Sequence, residues 1–175
     1  MKFINIILAA FIFSCQHTNE QQKSKVDFFE NELLSNSNEP LLNIYYQSDE
    51  CGEWGGHEET MVISRNDGKT SYELTYQEYS VNCDSMITEY SKYGYYARPL
   101  KELVRTTKVV IDEQRKQSIL NFSTDMVKSK FNEPFTGHSG VILTISNSDS
   151  TFIISTWGGT DKHYLKLVSN LELDE

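Results

Sequence analysis

The strongest constraint on the fold is a segment in which apolar and polar residues alternate. Residues 70–78 read TSYELTYQE, where Tyr72, Leu74 and Tyr76 are separated by polar side chains. Successive side chains of a strand point to opposite faces, so this pattern predicts a β-strand with one buried face. The run TMVISR, residues 60–65, precedes it across a turn containing Asp-Gly, which predicts a β-hairpin. We therefore expect an antiparallel sheet.

The N-terminal sequence MKFINIILAAFIFSCQ has the pattern of an export signal. A single Lys2 precedes an apolar run over residues 3–13, which is too short to span a bilayer core of about 30 Å. Residues 12–15, I-F-S-C, resemble a bacterial lipobox, whose cysteine becomes the lipid-modified first residue. We expect a signal peptide at residues 1–14, lipid attachment at Cys15, and a lipid-anchored place in the bacterial cell envelope, on the periplasmic face of the outer membrane.

The two remaining cysteines, Cys51 and Cys83, lie on either side of the predicted hairpin. An even pair in an exported chain favours a disulfide. Neither a CxxC spacing nor a histidine cluster accompanies them, which argues against a zinc site. We expect a Cys51–Cys83 disulfide that closes the open end of the hairpin.

Charge and length limit the class of protein. Removal of residues 1–14 takes away Lys2 and no acidic residue, so the formal net charge of −9 becomes −10. Such a surface repels nucleic acid, and we expect no nucleic-acid partner and membrane contact only through the N-terminal lipid. The polar composition of residues 15–39 indicates a tether, and residues 40–175 have the length of one domain.

The rest of the chain predicts further strands and two packed helices. Strand patterns occupy residues 41–47 and 102–111, and residues 141–145 and 152–156 form a second hairpin. After Asp112, a helix cap, the apolar stripe Ile119, Phe122, Met126, extended to Phe131, predicts an amphipathic helix. The spacing of Tyr164, Leu167, Val168 and Leu171 predicts a short closing helix. The expected class is α+β, a mainly antiparallel sheet with one packed amphipathic helix and a short C-terminal helix.

The most unusual segment is CGEWGGHEE, residues 51–59. Its glycines allow sharp turns, and Glu53, Trp54, His57 and Glu58 would suit a ligand site on a loop held by a disulfide. A second Trp-Gly-Gly begins at Trp157. The repeat is either coincidental or a sign that the two turns lie together at one end of the sheet, where they would line one cleft. The same segment also fits a structural turn anchored by Trp54, or an acid and base formed by His57 with Glu53 or Glu58.

Known catalytic patterns are missing from the sequence. It contains no GxSxG, no phosphate-binding glycine loop and no HExxH motif. We therefore name no catalytic residue, no cofactor and no metal site.

The CGEWGGHEE segment and the lipobox ending at Cys15 resemble those of small uncharacterised lipoproteins of Bacteroidota, and this resemblance implies an envelope location without an activity. The expected function is a non-enzymatic, lipid-anchored envelope domain that binds a protein or small ligand, with inhibition of a basic envelope-damaging enzyme as its most concrete form. The alternatives are an envelope hydrolase using Glu53, His57 and Glu58, and a structural subunit of an envelope complex.

Overall fold

The computed structural model describes residues 28–35, 39–52, 55–66, 71–94, 98–132, 140–159 and 161–174. Within these ranges six strands and three α-helices follow one another along the chain. The strands are β1 (Leu42–Gln47), β2 (Glu58–Arg65), β3 (Tyr72–Asn82), β4 (Leu100–Ile111), β5 (Val141–Asn147) and β6 (Ile153–Gly159). The helices are α1 (Ser85–Tyr93), α2 (Glu113–Asn132) and α3 (Lys162–Asn170). Cys15, Glu53, Trp54 and the Asp67-Gly68 turn lie outside the described residues.

The strands form one antiparallel sheet in the order β4-β3-β2-β1-β5-β6. This confirms the predicted α+β class and both predicted hairpins, since β2 pairs with β3 and β5 pairs with β6. The strand β1 lies in the interior of the sheet, between β2 and β5. The backbone of β1 is therefore paired along both of its edges.

One face of the sheet carries the hydrophobic core, and we call the opposite face the outer face. Alternate residues of β1, β2 and β3 are buried, as the period of two predicts. The fully buried side chains of these strands are Leu42, Ile44, Met61, Ile63, Leu74 and Tyr76. Helices α2 and α3 contribute Ile119, Phe122, Met126, Tyr164 and Leu167 to the same cluster.

The predicted helices are present, with two differences. Asp112 caps α2 as predicted, because its carboxylate accepts a hydrogen bond from the Arg115 backbone N–H at 2.8 Å. The apolar stripe ends at Met126, however, and Phe131 is 84% exposed, so its prediction as part of the buried stripe is wrong. Helix α1 was not expected, since its tyrosines occur without an apolar stripe. In the part of the chain that the structure describes, no helix combines the length and apolarity needed to cross a bilayer.

A short π-helical turn, Phe29–Leu33, also belongs to the core. Phe29, Leu33 and Leu34 are buried among the residues of the main cluster. Lys116 of α2 binds the carboxylate of Glu30 at 2.9 Å and fixes the turn against the helix. Residues 28–35, which fall within the expected tether, are thus part of the folded domain.

The two edges of the sheet carry features that oppose pairing with another strand. On β6, the Lys130 ammonium donates to the backbone carbonyl of Ser155 at 2.9 Å. On β4, the register shifts beside Glu78 and Tyr79 of β3, and Lys101 and Lys108 are exposed along the strand. Bulges and lysines are common devices that prevent edge-to-edge association.

The predicted disulfide is present, and the Cα atoms of Cys51 and Cys83 lie 5.2 Å apart. It joins the loop after β1 to the end of β3 and closes the open end of the hairpin. Because the two cysteines are 32 positions apart, the bond removes considerable freedom from the unfolded chain.

We expect the double variant Cys51→Ser, Cys83→Ser to lose about 3–4 kcal/mol in free energy of unfolding, from the length of the closed loop. Urea denaturation measures the loss. Wild-type protein under reducing conditions is the control and should show the same loss. Equal stability of the oxidised wild type and the double variant would contradict this role.

Candidate functional site

Backbone hydrogen bonds join the described parts of the loop between β1 and β2, residues 48–52 and 55–57. Ser48 N–H donates to the His57 carbonyl at 2.9 Å, and Cys51 N–H donates to the Gly55 carbonyl at 2.6 Å. Gly55 has a φ of +89°, and its Cα lies so close to the Gln47 amide that an added Cβ would overlap it. This glycine therefore serves two purposes, a left-handed turn and the close packing that fixes Gln47.

Past this loop, His57 and Glu58 point to opposite faces of the sheet. His57 Nε2 lies 2.9 Å from a carboxylate oxygen of Glu59, which is on the core face. The carboxylate of Glu58 instead meets Lys101 on the outer face, at 2.8 Å from Nζ. The sheet thus separates the candidate residues into two groups.

The group on the core face surrounds a buried carboxylate, Glu59. The Tyr76 hydroxyl donates to Glu59 at 2.5 Å, and the Tyr164 hydroxyl donates at 2.7 Å. Tyr164 also stacks on Tyr46, with ring centroids 4.4 Å apart and planes inclined by 3°. We call Glu59, His57, Tyr76 and Tyr164 the core-side cluster; it joins β2, β3 and α3.

Burial determines how these phenols titrate. Desolvation raises the pKa of Tyr164 strongly, and the charge of Glu59 and the hydrogen bond to it raise the pKa further. Desolvation also raises the pKa of Tyr76, followed by the hydrogen bond to Glu59. For Tyr46, burial and then the charges of Asp161 and Glu59 raise the pKa to about 12. All three phenols therefore stay neutral well above neutral pH.

At its solvent-facing side, the core-side cluster ends in an ion pair. Arg105 Nε donates to Glu78 at 3.0 Å, and the guanidinium lies 5.2 Å from the centre of the Tyr76 ring. His57 Nε2 is 3.9 Å from Glu78, so the imidazole lies between two carboxylates. These contacts give His57 a structural role on the core face.

On the outer face, Glu58 lies in a pocket of about 390 Å³. Its side chain is only 14% exposed, and its two oxygens accept hydrogen bonds from Lys101 Nζ at 2.8 Å and Gln47 Nε2 at 3.3 Å. Burial raises the pKa of Tyr45, followed by the charge of Glu58 and a hydrogen bond to it. The outer-face pocket consists of Tyr45, Gln47, Glu58, Arg98, Pro99 and Lys101.

An irregularity in β4 aims Lys101 at this pocket. Glu78 pairs with Arg105, but the next residue, Tyr79, pairs with Leu103, so Val104 is an extra residue in β4. One extra residue reverses which side chains face which side of the sheet. Lys101 consequently lies on the outer face, 5.1 Å from the centre of the Tyr79 ring.

Trp157 also lies on the outer face, at the β6 edge. Across neighbouring strands, Trp157 lies opposite Ile142, Ile142 lies opposite Gln47, and Gln47 lies opposite Glu58. Trp157 therefore shares a face with Glu58 and lies on the opposite face from His57. The expected cleft containing both His57 and Trp157 is not formed, because a sheet separates them.

Several residues of these two groups were missed by the sequence analysis. Glu59 alternates with partly exposed positions in step with Met61 and Ile63, the buried residues of β2. A carboxylate at a position that the alternation predicts to be buried is a signal that could have identified Glu59. Tyr164 was predicted to be buried, but its partner across the fold carries no local signal. Among the described residues, no group of three or more His, Cys, Asp or Glu is placed to hold a metal ion.

We expect Tyr164→Phe to lower the free energy of unfolding by about 1.5–3 kcal/mol, because it removes a buried hydrogen bond to a charged group. The matched control is Tyr79→Phe, whose hydroxyl bonds to Gln77 at 3.1 Å in a partly exposed position. The control should lose less than about 1 kcal/mol in the same urea titration. Equal losses in the two variants would contradict the importance of the Glu59 contact.

Stability should also fall in alkali. The unfolded chain releases tyrosine protons near pH 10, whereas the raised pKa values keep Tyr46, Tyr76 and Tyr164 neutral in the folded state. The stability that these phenols contribute is complete below about pH 10 and is lost as the pH rises through the folded-state values. Urea titrations from about pH 8 to about pH 11 should show this fall. The free energy of unfolding of Tyr164→Phe should fall less steeply with pH. Identical slopes for the variant and the wild type would contradict the assignment of the fall to Tyr164.

Comparison with known proteins gives no family: no family model, no curated protein and no solved structure matches this chain. Any function must therefore be argued from the arrangement of its residues.

Proposed function

We propose that this chain is a non-enzymatic, lipid-anchored binding domain of a bacterial cell envelope, which takes its ligand or partner on the outer face of the sheet. The observation that carries the proposal is the outer-face pocket, where Glu58 holds Lys101 and Gln47 in fixed positions. The lipobox ending at Cys15 supports the location.

The construction of the pocket fits binding better than a merely solvated surface. A carboxylate on an open sheet face is normally well exposed, but Glu58 is largely covered by its own donors. Gly55 packs against Gln47, and the disulfide at Cys51 holds the loop that contains this glycine. Polar groups held rigidly in a concave site are typical of ligand recognition.

The geometry is less favourable to the hydrolase alternative. One form of that alternative pairs His57 with Glu58, and these two residues lie on opposite faces of the sheet. The other form pairs His57 with Glu53, which lies outside the described residues. An acid and a base must both reach the reacting atoms. We therefore assign the binding role to Glu58 and the outer face.

A second candidate is capture and inhibition of a basic envelope-damaging enzyme. The formal net charge of −10 that remains after removal of residues 1–14 favours it, because a negative surface attracts a basic partner and speeds association. Binding of this kind weakens steeply with salt. Salt dependence therefore distinguishes a basic protein partner from an uncharged ligand.

The experiment has a localisation arm and a binding arm. The full-length protein, expressed in a Gram-negative host, should remain in the membrane fraction, and mass spectrometry should find acylated Cys15 at its N-terminus. Cys15→Ser should leave the membrane fraction. An unmodified Cys15 in the wild type would overturn the anchoring.

In the binding arm, photo-cross-linking residues at Lys101 and Lys108 are compared in intact cells. Lys108 is the matched control, because it forms the same kind of ion pair on the same strand, 2.6 Å from Glu73, away from the pocket. Cross-linked adducts should form at position 101 and not at position 108. Equal adduct formation at the two positions, or none at position 101, would overturn the proposed site.

A further inference from the structure

We propose that the ligand is an uncharged oligosaccharide, bound across the outer face along one cross-strand row of side chains. This inference deepens the proposed function and rests on it only for the choice of face. The row contains Trp157, Ile142, Gln47, Glu58 and Tyr79, one residue from each of five neighbouring strands.

The dimensions of the row suit a chain-like ligand. Four steps of about 4.8 Å between neighbouring strands separate Trp157 from Tyr79, roughly 19 Å in all. That length accommodates several linked sugar rings lying across the strands. The outer-face pocket lies around Gln47 and Glu58, so the row is deepest near its polar centre.

Aromatic rings occupy both ends of the row. Trp157 is 44% exposed at the β6 end, and Tyr79 lies beside Lys101 at the β3 end. Sugar rings have an apolar face of C–H groups, which packs on aromatic rings as other apolar groups do. Two aromatic positions separated by a polar centre provide a platform for rings at each end of a sugar chain.

The polar groups of the face match hydroxyl groups. Gln47 provides an amide, Glu58 provides a carboxylate, and in the adjacent row the hydroxyls of Thr144 and Ser155 lie 2.9 Å apart. A sugar hydroxyl both donates and accepts hydrogen bonds, and these groups offer both partners. The face is therefore suited to a ligand rich in hydroxyls.

Charge compensation on this face favours an uncharged ligand. Lys101 is paired with Glu58 at 2.8 Å, and Lys108 is paired with Glu73 at 2.6 Å. Each of these two lysines is therefore matched by a carboxylate, and neither pair presents an uncompensated charge to a polyanion or a basic protein. A charged partner that bound at Lys101 or at Lys108 would have to compete with the ion pair formed there.

Backbone geometry favours a sugar chain over an extended peptide. A peptide that adds to a sheet binds the free backbone groups of an edge strand. The centre of the row lies on β1 and β2, whose backbones are paired on both sides within the sheet. Recognition here must come from side chains that project from the face.

The test is isothermal titration calorimetry of the full-length protein, kept in a polyoxyethylene detergent because sugar-based detergents would compete. The neutral probes are cellohexaose, chitohexaose, maltohexaose, xylohexaose and mannohexaose. An oligogalacturonate of equal length represents anionic sugars, and lysozyme represents basic enzymes. At least one neutral hexasaccharide should bind, with an affinity that changes little with salt.

Variants locate the binding. Trp157→Ala should weaken binding at least about tenfold, Trp157→Phe should weaken it less, and Gln47→Ala should also weaken it. The control is Phe28→Ala, because Phe28 is an aromatic residue as exposed as Trp157 and adjoins the π-helical turn that packs on the core side of the sheet. Thermal unfolding midpoints close to that of the wild type establish that the variants are folded.

Three results would overturn the inference: no binding of any neutral probe, binding of the galacturonate or lysozyme alone, and binding that survives both Trp157→Ala and Gln47→Ala. None of them bears on Cys15 acylation or on cross-linking at position 101. Failure of the sugar assignment is thus distinguishable from failure of the proposed function.

Discussion

The buried carboxylate of Glu59 is the interaction on which the arrangement of the fold depends. A charged group away from water must be fully hydrogen-bonded, or its burial costs several kcal/mol. Here Tyr76 donates from the next strand and Tyr164 donates from the C-terminal helix, while His57 contacts the second oxygen. Tyr164 reaches Glu59 because α3 packs over this part of the sheet. The cluster therefore specifies the position of this helix, which apolar contacts alone would define less sharply.

The use of Glu59 as an internal anchor has a consequence for function. Because neighbouring residues of a strand face opposite sides, a Glu59 on the core face requires Glu58 to face outward. The two adjacent carboxylates thus serve different purposes: Glu59 organises the core, and Glu58 organises Lys101 and Gln47 in the outer-face pocket. A one-residue shift in the register of β2 would exchange the two and destroy both arrangements.

Sequence reasoning predicted the sheet and the main helices because period-two and helical patterns, turn residues and an even cysteine pair are local signals. It missed α1, whose tyrosines follow neither pattern, and it extended the α2 stripe to Phe131, which is exposed. The candidate site was harder to predict. Glu58 and Trp157 share one cross-strand row, but the face on which each candidate residue lies depends on strand pairing, and the contact between Glu59 and Tyr164 spans 105 positions. No local sequence pattern encodes the face of each residue or the contact between Glu59 and Tyr164.

The loop and the bulge together explain why the pocket lies where it does. Gln47 is held by the close approach of Gly55, and Lys101 reaches the outer face because Val104 is an extra residue in β4. The first is a glycine turn in a loop and the second is a bulge in a strand, and both direct polar side chains toward Glu58. A bulge at a sheet edge can serve only to prevent association with another strand. Protection of the edge does not, however, require Lys101 to contact Glu58, which lies two strands away. The convergence of two irregularities on Glu58 is therefore the structural argument for a binding site at this point rather than elsewhere on the same face.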